Sequence, residues 1–318
     1  MTDVTEPLGP DEQHPPVERG SGAGAATATE PDLGPPDDDR GIEQYLHTDR
    51  FPHIWCPGCG LGTVTAAFLR AALSLGLRKD RTVVVGGIGC SSRAVGYLDF
   101  GTVHSIHGRA LAFATGIKMA HPEFTVIVLT GDGDGAAIGG NHLIHAARRN
   151  IDITTILFNN MIYGMTGGQA SPQTGPDHQA TTAPFGVAEP AFDLCRLVEA
   201  AGATYVARGT SYGVRQLERL IRGAIEHKGF SFIEAVTQCP TEFGKRNPPK
   251  SPVAMLEEFK ASAVSVKAAR DMAPEELKGR LITGLLHKDE EVPELTAGYE
   301  AMLARLRAER ERDGEGGS

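Results

Sequence analysis

From about residue 41 onward the chain alternates two patterns of apolar and polar positions: short runs rich in β-branched residues, and longer stretches whose apolar residues recur at helical spacing. The runs predict strands over 82–86, 125–129, 153–158, 204–207 and 231–236, and the stretches predict helices over 62–75, 108–120, 139–149, 191–200 and 212–227. Alternation of this kind predicts an α/β fold, a parallel sheet with helices on both faces. Ligands bind such sheets at the carboxyl ends of the strands, and those ends carry residues with chemistry here. Cys90 follows the first strand, Gly131 the second, Asn159 and Asn160 the third, and Cys239 the last. A Gly/Thr/Gln/Pro-rich loop occupies 164–182. Beyond 240 the pattern dissolves into short helical segments, without a second sheet, and ends in a charged helix near 301–312. The alternating domain is therefore assigned to 41–240. The stretch 241–318 is read as an extension that wraps the core or a partner, with a fraying end.

Residues 1–40 follow neither pattern. They hold ten Asp and Glu against two Arg, with seven Pro, five Gly and no aromatic residue. Such a segment cannot bury enough apolar surface to offset its ordering entropy, so a disordered acidic tail is expected. The tail carries most of the formal charge of −9, which leaves the remainder nearly neutral and without the basic footprint of a nucleic-acid binder.

A hydrophobic content of 41% over 318 residues suffices for a sizeable core. The longest apolar stretches, 124–129 and 153–158, fall far short of the roughly 18 residues of a membrane span. No basic segment followed by an apolar one marks an export signal. A cytoplasmic setting is expected, in which the five cysteines stay reduced and metal binding is their leading use.

Two constellations carry the candidate chemistry. The segment Gly131-Asp132-Gly133-Asp134-Gly135 follows an apolar strand and leads toward a helix, so its backbone N–H groups can face an anion. Its glycine spacing is not that of a dinucleotide-binding turn. Asn160, at the end of the next strand, brings a second oxygen near Asp132, and with the backbone carbonyl of Ile162 these are hard ligands for one magnesium ion. Cys56, Cys59, Cys90 and Cys239 supply soft thiolates for an iron–sulfur cluster or zinc. Zinc ribbons usually present two paired motifs, and a single Cys-x-x-Cys with two distant cysteines favours a cluster built from several strand ends. Cys195 falls on one helical face with Ala191, Leu194 and Val198 and is read as a buried small hydrophobe.

Gly131-Asp132-Gly133 followed about thirty residues on by Asn159-Asn160 looks like the thiamine diphosphate signature. Together with Trp55-Cys56-Pro57-Gly58-Cys59-Gly60, Gly87-Ile88-Gly89-Cys90-Ser91-Ser92 and Tyr163-Gly164-Met165-Thr166-Gly167-Gly168-Gln169, it resembles the β subunit of 2-oxoacid:ferredoxin oxidoreductases over about 50–245. The resemblance implies a thiamine diphosphate-binding fold, with Mg²⁺ on Asp132, Asn160 and Ile162 and the cofactor lined by Ile88, Gly89, Cys90, Ser91, Gly131, Gly133, Asp134, Gly164, Met165 and Thr166. It also implies one 4Fe-4S cluster on Cys56, Cys59, Cys90 and Cys239. The implied reaction is oxidative decarboxylation of 2-oxoglutarate with coenzyme A to succinyl-CoA and CO2, with electrons passed through the cluster to ferredoxin. Arg93 is a candidate to hold the distal carboxylate of 2-oxoglutarate, against an ordinary surface ion pair. His107 is a candidate acid or hydrogen-bond donor, against a capping role. His104 and Arg109 lie beside it, while His142, His145, Arg148 and Arg149 are read as a solvated or subunit-facing surface.

Thiamine enzymes also need a carboxylate beside the aminopyrimidine ring. Only one sheet of the right kind is legible, so an α subunit with the pyrimidine-binding domain is expected, in an α2β2 assembly. Pyruvate or a branched-chain 2-oxo acid is an alternative substrate. A non-redox thiamine decarboxylase or synthase with zinc and a non-enzymatic metal-binding module are the rival classes.

Overall fold

The computed structural model describes residues 41–315, so the expected acidic tail over 1–40 lies outside the described residues. Eight strands form the sheet: β1 (Thr82–Gly86), β2 (Gly101–His104), β3 (Thr125–Gly131), β4 (Thr154–Asn159), β5 (Tyr205–Thr210), β6 (Ser231–Val236), β7 (Ala263–Ser265) and β8 (Leu281–Lys288). Their order is β2-β1-β3-β4-β6-β5-β8-β7. The first six in that order are parallel to one another.

Alternation along each inner strand sends its side chains to two separate cores. On β3, Ile127 and Leu129 face one side while Val126 and Val128 face the other; on β4, Ile156 and Phe158 oppose Leu157. Helices α1 (Leu61–Ser74) and α5 (Val214–Glu226) cover the first face, and α2 (Ala110–Ala120), α3 (Gly140–Arg149) and α4 (Leu194–Ala201) the second. Strands buried on both faces read as continuous apolar runs, which is why β3 and β4 stand out in the sequence. Each large apolar side chain buried in this way contributes about 1.5–3 kcal/mol of transfer free energy.

Three strands escape the pattern. β2 is a four-residue edge strand, largely exposed, and so has no apolar run. β8 pairs antiparallel with β5 through a register shift between Val206 and Ala207, and Gly284 on it has φ +125°. A glycine and a bulge both blur a two-residue period. β7 has three residues and pairs only with β8. Part of the stretch after 240 therefore extends the sheet, where only short helices were expected. The chain then returns to the core, where Asn150 Nδ2 donates to the carbonyls of Val292 and Pro293, each at 3.3 Å. The final helix, Leu295–Glu315, is longer than the 301–312 expected. None of the described helices is long and apolar enough to cross a membrane.

Because β1, β3, β4 and β6 are parallel, residues 87–91, 131–134, 159–163 and 237–239 emerge from one edge of the sheet. The site is built on that edge.

Candidate active site

β3 ends at Gly131, and the chain turns directly into one wide π-helical turn, Gly133–Ile138, that precedes α3. Asp132 sits at the start of this turn, and its Oδ2 accepts a 2.5 Å hydrogen bond from Ser171 Oγ. The side chain is buried, and burial pushes its carboxyl up to about 7 against the opposing hydrogen bonds of Ser171 and the Gly133 amide. An acid held at that value takes a cation readily, since the ion replaces a proton.

The two asparagines that end β4 have different surroundings. Asn159 Nδ2 donates to Glu234 Oε1 at 2.7 Å and Gln173 Oε1 at 3.1 Å, and the other Glu234 oxygen accepts from Arg208 Nε at 2.6 Å. Asn159 Oδ1 accepts from the amide of Met161, which has φ +61°. A left-handed non-glycine residue costs of order 1–3 kcal/mol and persists only where its surroundings enforce it. This turn aims the next side chain, Asn160, into a cavity of about 150 Å³ that Asp132 and Ile162 also line.

That cavity gathers every residue expected around the cofactor: Ile88, Gly89, Cys90, Ser91, Gly131, Gly133, Asp134, Gly164, Met165 and Thr166 join Asp132 and Asn160. Phe158 and Tyr163 belong to its wall as well. Tyr163 lies inside one of the quoted motifs without having been assigned a role. Its hydroxyl donates to the Gly133 carbonyl at 3.1 Å, and a Cβ on Gly133 would fall 2.1 Å from its ring, so position 133 must lack a side chain. Phe158 gave no signal beyond its place in an apolar run.

His107 lines the same cavity and is held by Asp134 through a 2.6 Å contact at Nδ1. The buried Asp134 carboxylate also accepts from the amides of Gly108 (2.7 Å) and Ile88 (3.2 Å) and from Thr130 Oγ1 (2.7 Å). Asp134 thus ties three loops together and fixes one imidazole nitrogen. His104 and Arg109 lie outside this wall; Arg109 donates to the carbonyls of Gly108 and Ile138.

A second cavity, of about 260 Å³, adjoins the first and is lined by Cys56, Cys59, Cys90 and Cys239. Glycine contacts explain how two distant segments meet. Gly60 lies so close to Thr237 and Gln238 that a Cβ would fall 2.0 Å from Thr237 Oγ1, while Gln238 Nε2 donates to the Gly58 carbonyl at 3.1 Å. Burial and the neighbouring thiols push Cys59 up to about 12 and Cys90 to about 11. The Leu61 amide points at the Cys59 sulfur, and those of Phe243 and Glu242 at Cys239. Four soft donors with amide hydrogen bonds suit a thiolate-held metal group. Among the described residues, no three His, Cys, Asp or Glu side chains converge on one point as ligands of a single ion. Cys195 is remote in role: buried on α4, its thiol donates to Glu234 Oε2 at 3.3 Å. Ala191, expected on the same helical face, precedes α4 and is exposed. Arg93 is exposed and lines the thiol-lined cavity, not the one holding Asp132.

Residues 87–235 match the family model described as thiamine pyrophosphate enzyme, C-terminal TPP binding domain. The 2-oxoglutarate synthase subunit KorB of Methanocaldococcus jannaschii is 49% identical over 266 residues, covering 84% of this chain and 98% of that one. Its counterpart from Methanothermobacter marburgensis is 52% identical over 241 residues, covering 76% and 85%. A solved structure, 2-oxoglutarate:ferredoxin oxidoreductase from Magnetococcus marinus with 2-oxoglutarate, coenzyme A and succinyl-CoA bound, superposes with a TM-score of 0.76 at 34% identity, covering 84% of this chain and 91% of that one. With identity at this level across almost the whole of such relatives, and a thiamine domain over the strand ends that build the site, the chain belongs to the β subunits of the thiamine diphosphate-dependent 2-oxoacid:ferredoxin oxidoreductases.

Proposed function

We propose that this β subunit, with an α partner, converts 2-oxoglutarate and coenzyme A to succinyl-CoA and CO2, passing the electrons through a 4Fe-4S cluster to ferredoxin. The observation that carries the reading is the wall shared by the two cavities. Cys90, Asn160, Gly164 and Met165 line both. A Cβ on Gly164 would lie 3.6 Å from Cys90 Sγ and 3.7 Å from Cys239 Sγ, ordinary contact distances that place this shared wall directly against two of the sulfurs.

Thiamine diphosphate supplies the carbanion and electron sink for decarboxylation, and a cluster supplies one-electron storage. The chain's own part is binding and orientation. Asp132, Asn160 and the Ile162 carbonyl would hold magnesium, with Ser171 fixing the Asp132 carboxylate through its hydroxyl. The turns at 88–91 and 131–134 present backbone to the diphosphate, and Gly164 to Thr166 close the wall. His107, with Nδ1 held by Asp134, presents Nε2 for hydrogen bonding or proton transfer. Asp132 and Asp134 are the carboxylates of this cavity, and both are already engaged. A carboxylate for the aminopyrimidine therefore comes from another chain, which supports an α subunit and an α2β2 assembly. The stretch from 241 to the end of the described residues serves as the extension that binds the core and meets that partner. Co-purified with its α subunit and offered a panel of 2-oxo acids, the protein should turn over 2-oxoglutarate with coenzyme A fastest; preference for pyruvate or a branched-chain acid would reassign the substrate.

Two expectations attach to individual residues. Because the metal-free Asp132 carboxyl titrates at about 7, protons compete with magnesium below that pH. Apparent magnesium affinity should be level above pH 7 and fall toward the limit of about tenfold per pH unit below it, as calorimetry at stepped pH will show; a level profile down to pH 5 would contradict the assignment. Arg93, if it clamps the distal carboxylate in the assembled site, contributes on the order of 2–5 kcal/mol to recognition of that charge. Arg93→Ala should then lower kcat/KM for 2-oxoglutarate roughly 30-fold or more while sparing residual pyruvate turnover, and parallel losses on both acids would remove Arg93 from substrate recognition.

A further inference from the structure

The wall of the thiol-lined cavity contains two charged side chains among the described residues, Arg93 and Glu242. Arg93 is exposed, whereas Glu242 is largely enclosed and anchored. Its Oε2 accepts from Arg246 Nη1 at 3.0 Å, the same nitrogen donates to the Glu242 carbonyl at 3.0 Å, and each side chain is 22% exposed. Both residues sit one turn apart around the short helix Phe243–Arg246, which begins four residues after Cys239. Gly168 packs directly against the pair. Gly168, at φ +86°, has a Cβ position 2.6 Å from Glu242 Oε2 and 2.7 Å from Arg246 Nη1, so any side chain there would dislodge the pair.

Resting on the cluster reading above, we propose that the Glu242–Arg246 pair sets the reduction potential of the group held by Cys56, Cys59, Cys90 and Cys239. A fixed negative charge beside a cluster disfavours the extra electron, and a paired guanidinium limits how strongly it does so. Glu242 lines the same cavity as Cys90 and Cys239, so its charge lies close to the sulfurs with little solvent between. The same backbone segment works in the opposite sense. The amides of Glu242 and Phe243 point at Cys239, and amide hydrogen bonds to a thiolate favour reduction. The five residues from Glu242 to Arg246 thus carry a carboxylate, its counter-ion and two amide donors close to a single ligand.

The test is a mediated redox titration of the full chain carrying its cluster, with dithionite as the one-electron donor and the spectrum of the reduced cluster as the readout. Glu242→Gln should raise the midpoint potential, so that at the wild-type midpoint the reduced-to-oxidised ratio rises about tenfold, or ~59 mV for a one-electron couple. Arg246→Gln should move it the opposite way, and Glu242→Asp, which keeps the charge, should stay near wild type. Full iron and sulfide in Glu242→Gln with an unchanged midpoint would overturn the proposal. So would shifts of the same sign in Glu242→Gln and Arg246→Gln, or a cluster that Glu242→Gln cannot hold and Glu242→Asp can, each of which makes the pair a structural support. Wild-type chain without iron and sulfide would instead overturn the cluster reading itself and this inference with it.

Discussion

Asp132→Ala and Asn160→Ala are each expected to abolish magnesium-dependent binding of thiamine diphosphate. The two side chains emerge from adjacent parallel strand ends, with Gly131 opposite Phe158 in register, and with Ile162 they line one cavity of about 150 Å³. Magnesium demands a near-ideal octahedral shell of hard oxygens and takes few of them from protein, so each protein oxygen matters. Even outer partners of a metal ligand cost 10–100-fold in affinity when removed, so loss of a ligand should cost on the order of 100-fold or more. Asp132→Asn keeps the shape and removes the charge, and should fail similarly. Visible absorbance from the thiol-lined site should survive all three changes, which separates lost ligation from misfolding. Calorimetry showing unchanged cofactor affinity in Asp132→Ala or Asn160→Ala would defeat the assignment.

The second large effect concerns sulfur. Cys56→Ser, Cys59→Ser, Cys90→Ser and Cys239→Ser should each lose the cluster, because these four thiols line one cavity and each would supply one soft ligand. Cys195→Ser should retain it. Its sulfur lies in the second core, bonded to Glu234, where a hydroxyl can make the same donation. Iron and sulfide per chain is the readout. Full occupancy in any of the first four, or loss in the fifth, would redraw the ligand set.

The residues that line the two cavities were more completely legible in the sequence than the sheet was. Strands buried on both faces have no polar alternation to obscure them, so β1, β3, β4 and β6 could be placed within a residue or two. The short edge strand β2 and the added strands β7 and β8 are partly exposed and interrupted, and single-chain periodicity carries little trace of them. Motif residues were legible because chemistry constrains residue type: carboxylate and amide at adjacent strand ends, four thiols at three turns. What supports them was not. Ser171 reaches Asp132 from 39 positions away, and the Arg208–Glu234–Asn159 chain joins three strands whose order no local pattern reveals. The Asp134–His107 contact spans 27 positions, so an aspartate expected on the cofactor is found bracing a histidine in the same wall.

In the proposed function, carbon chemistry at the Asp132 cavity delivers electrons to the thiol-lined cavity beside it. That transfer can be followed by rapid mixing of the complex of this chain with its α subunit, loaded with thiamine diphosphate and magnesium, in the absence of ferredoxin. Addition of 2-oxoglutarate and coenzyme A should bleach the visible cluster band, with the signal of a reduced 4Fe-4S cluster appearing and CO2 released in step. CO2 release with no change in the cluster band, or a complex containing zinc in place of iron and sulfide, would contradict the account.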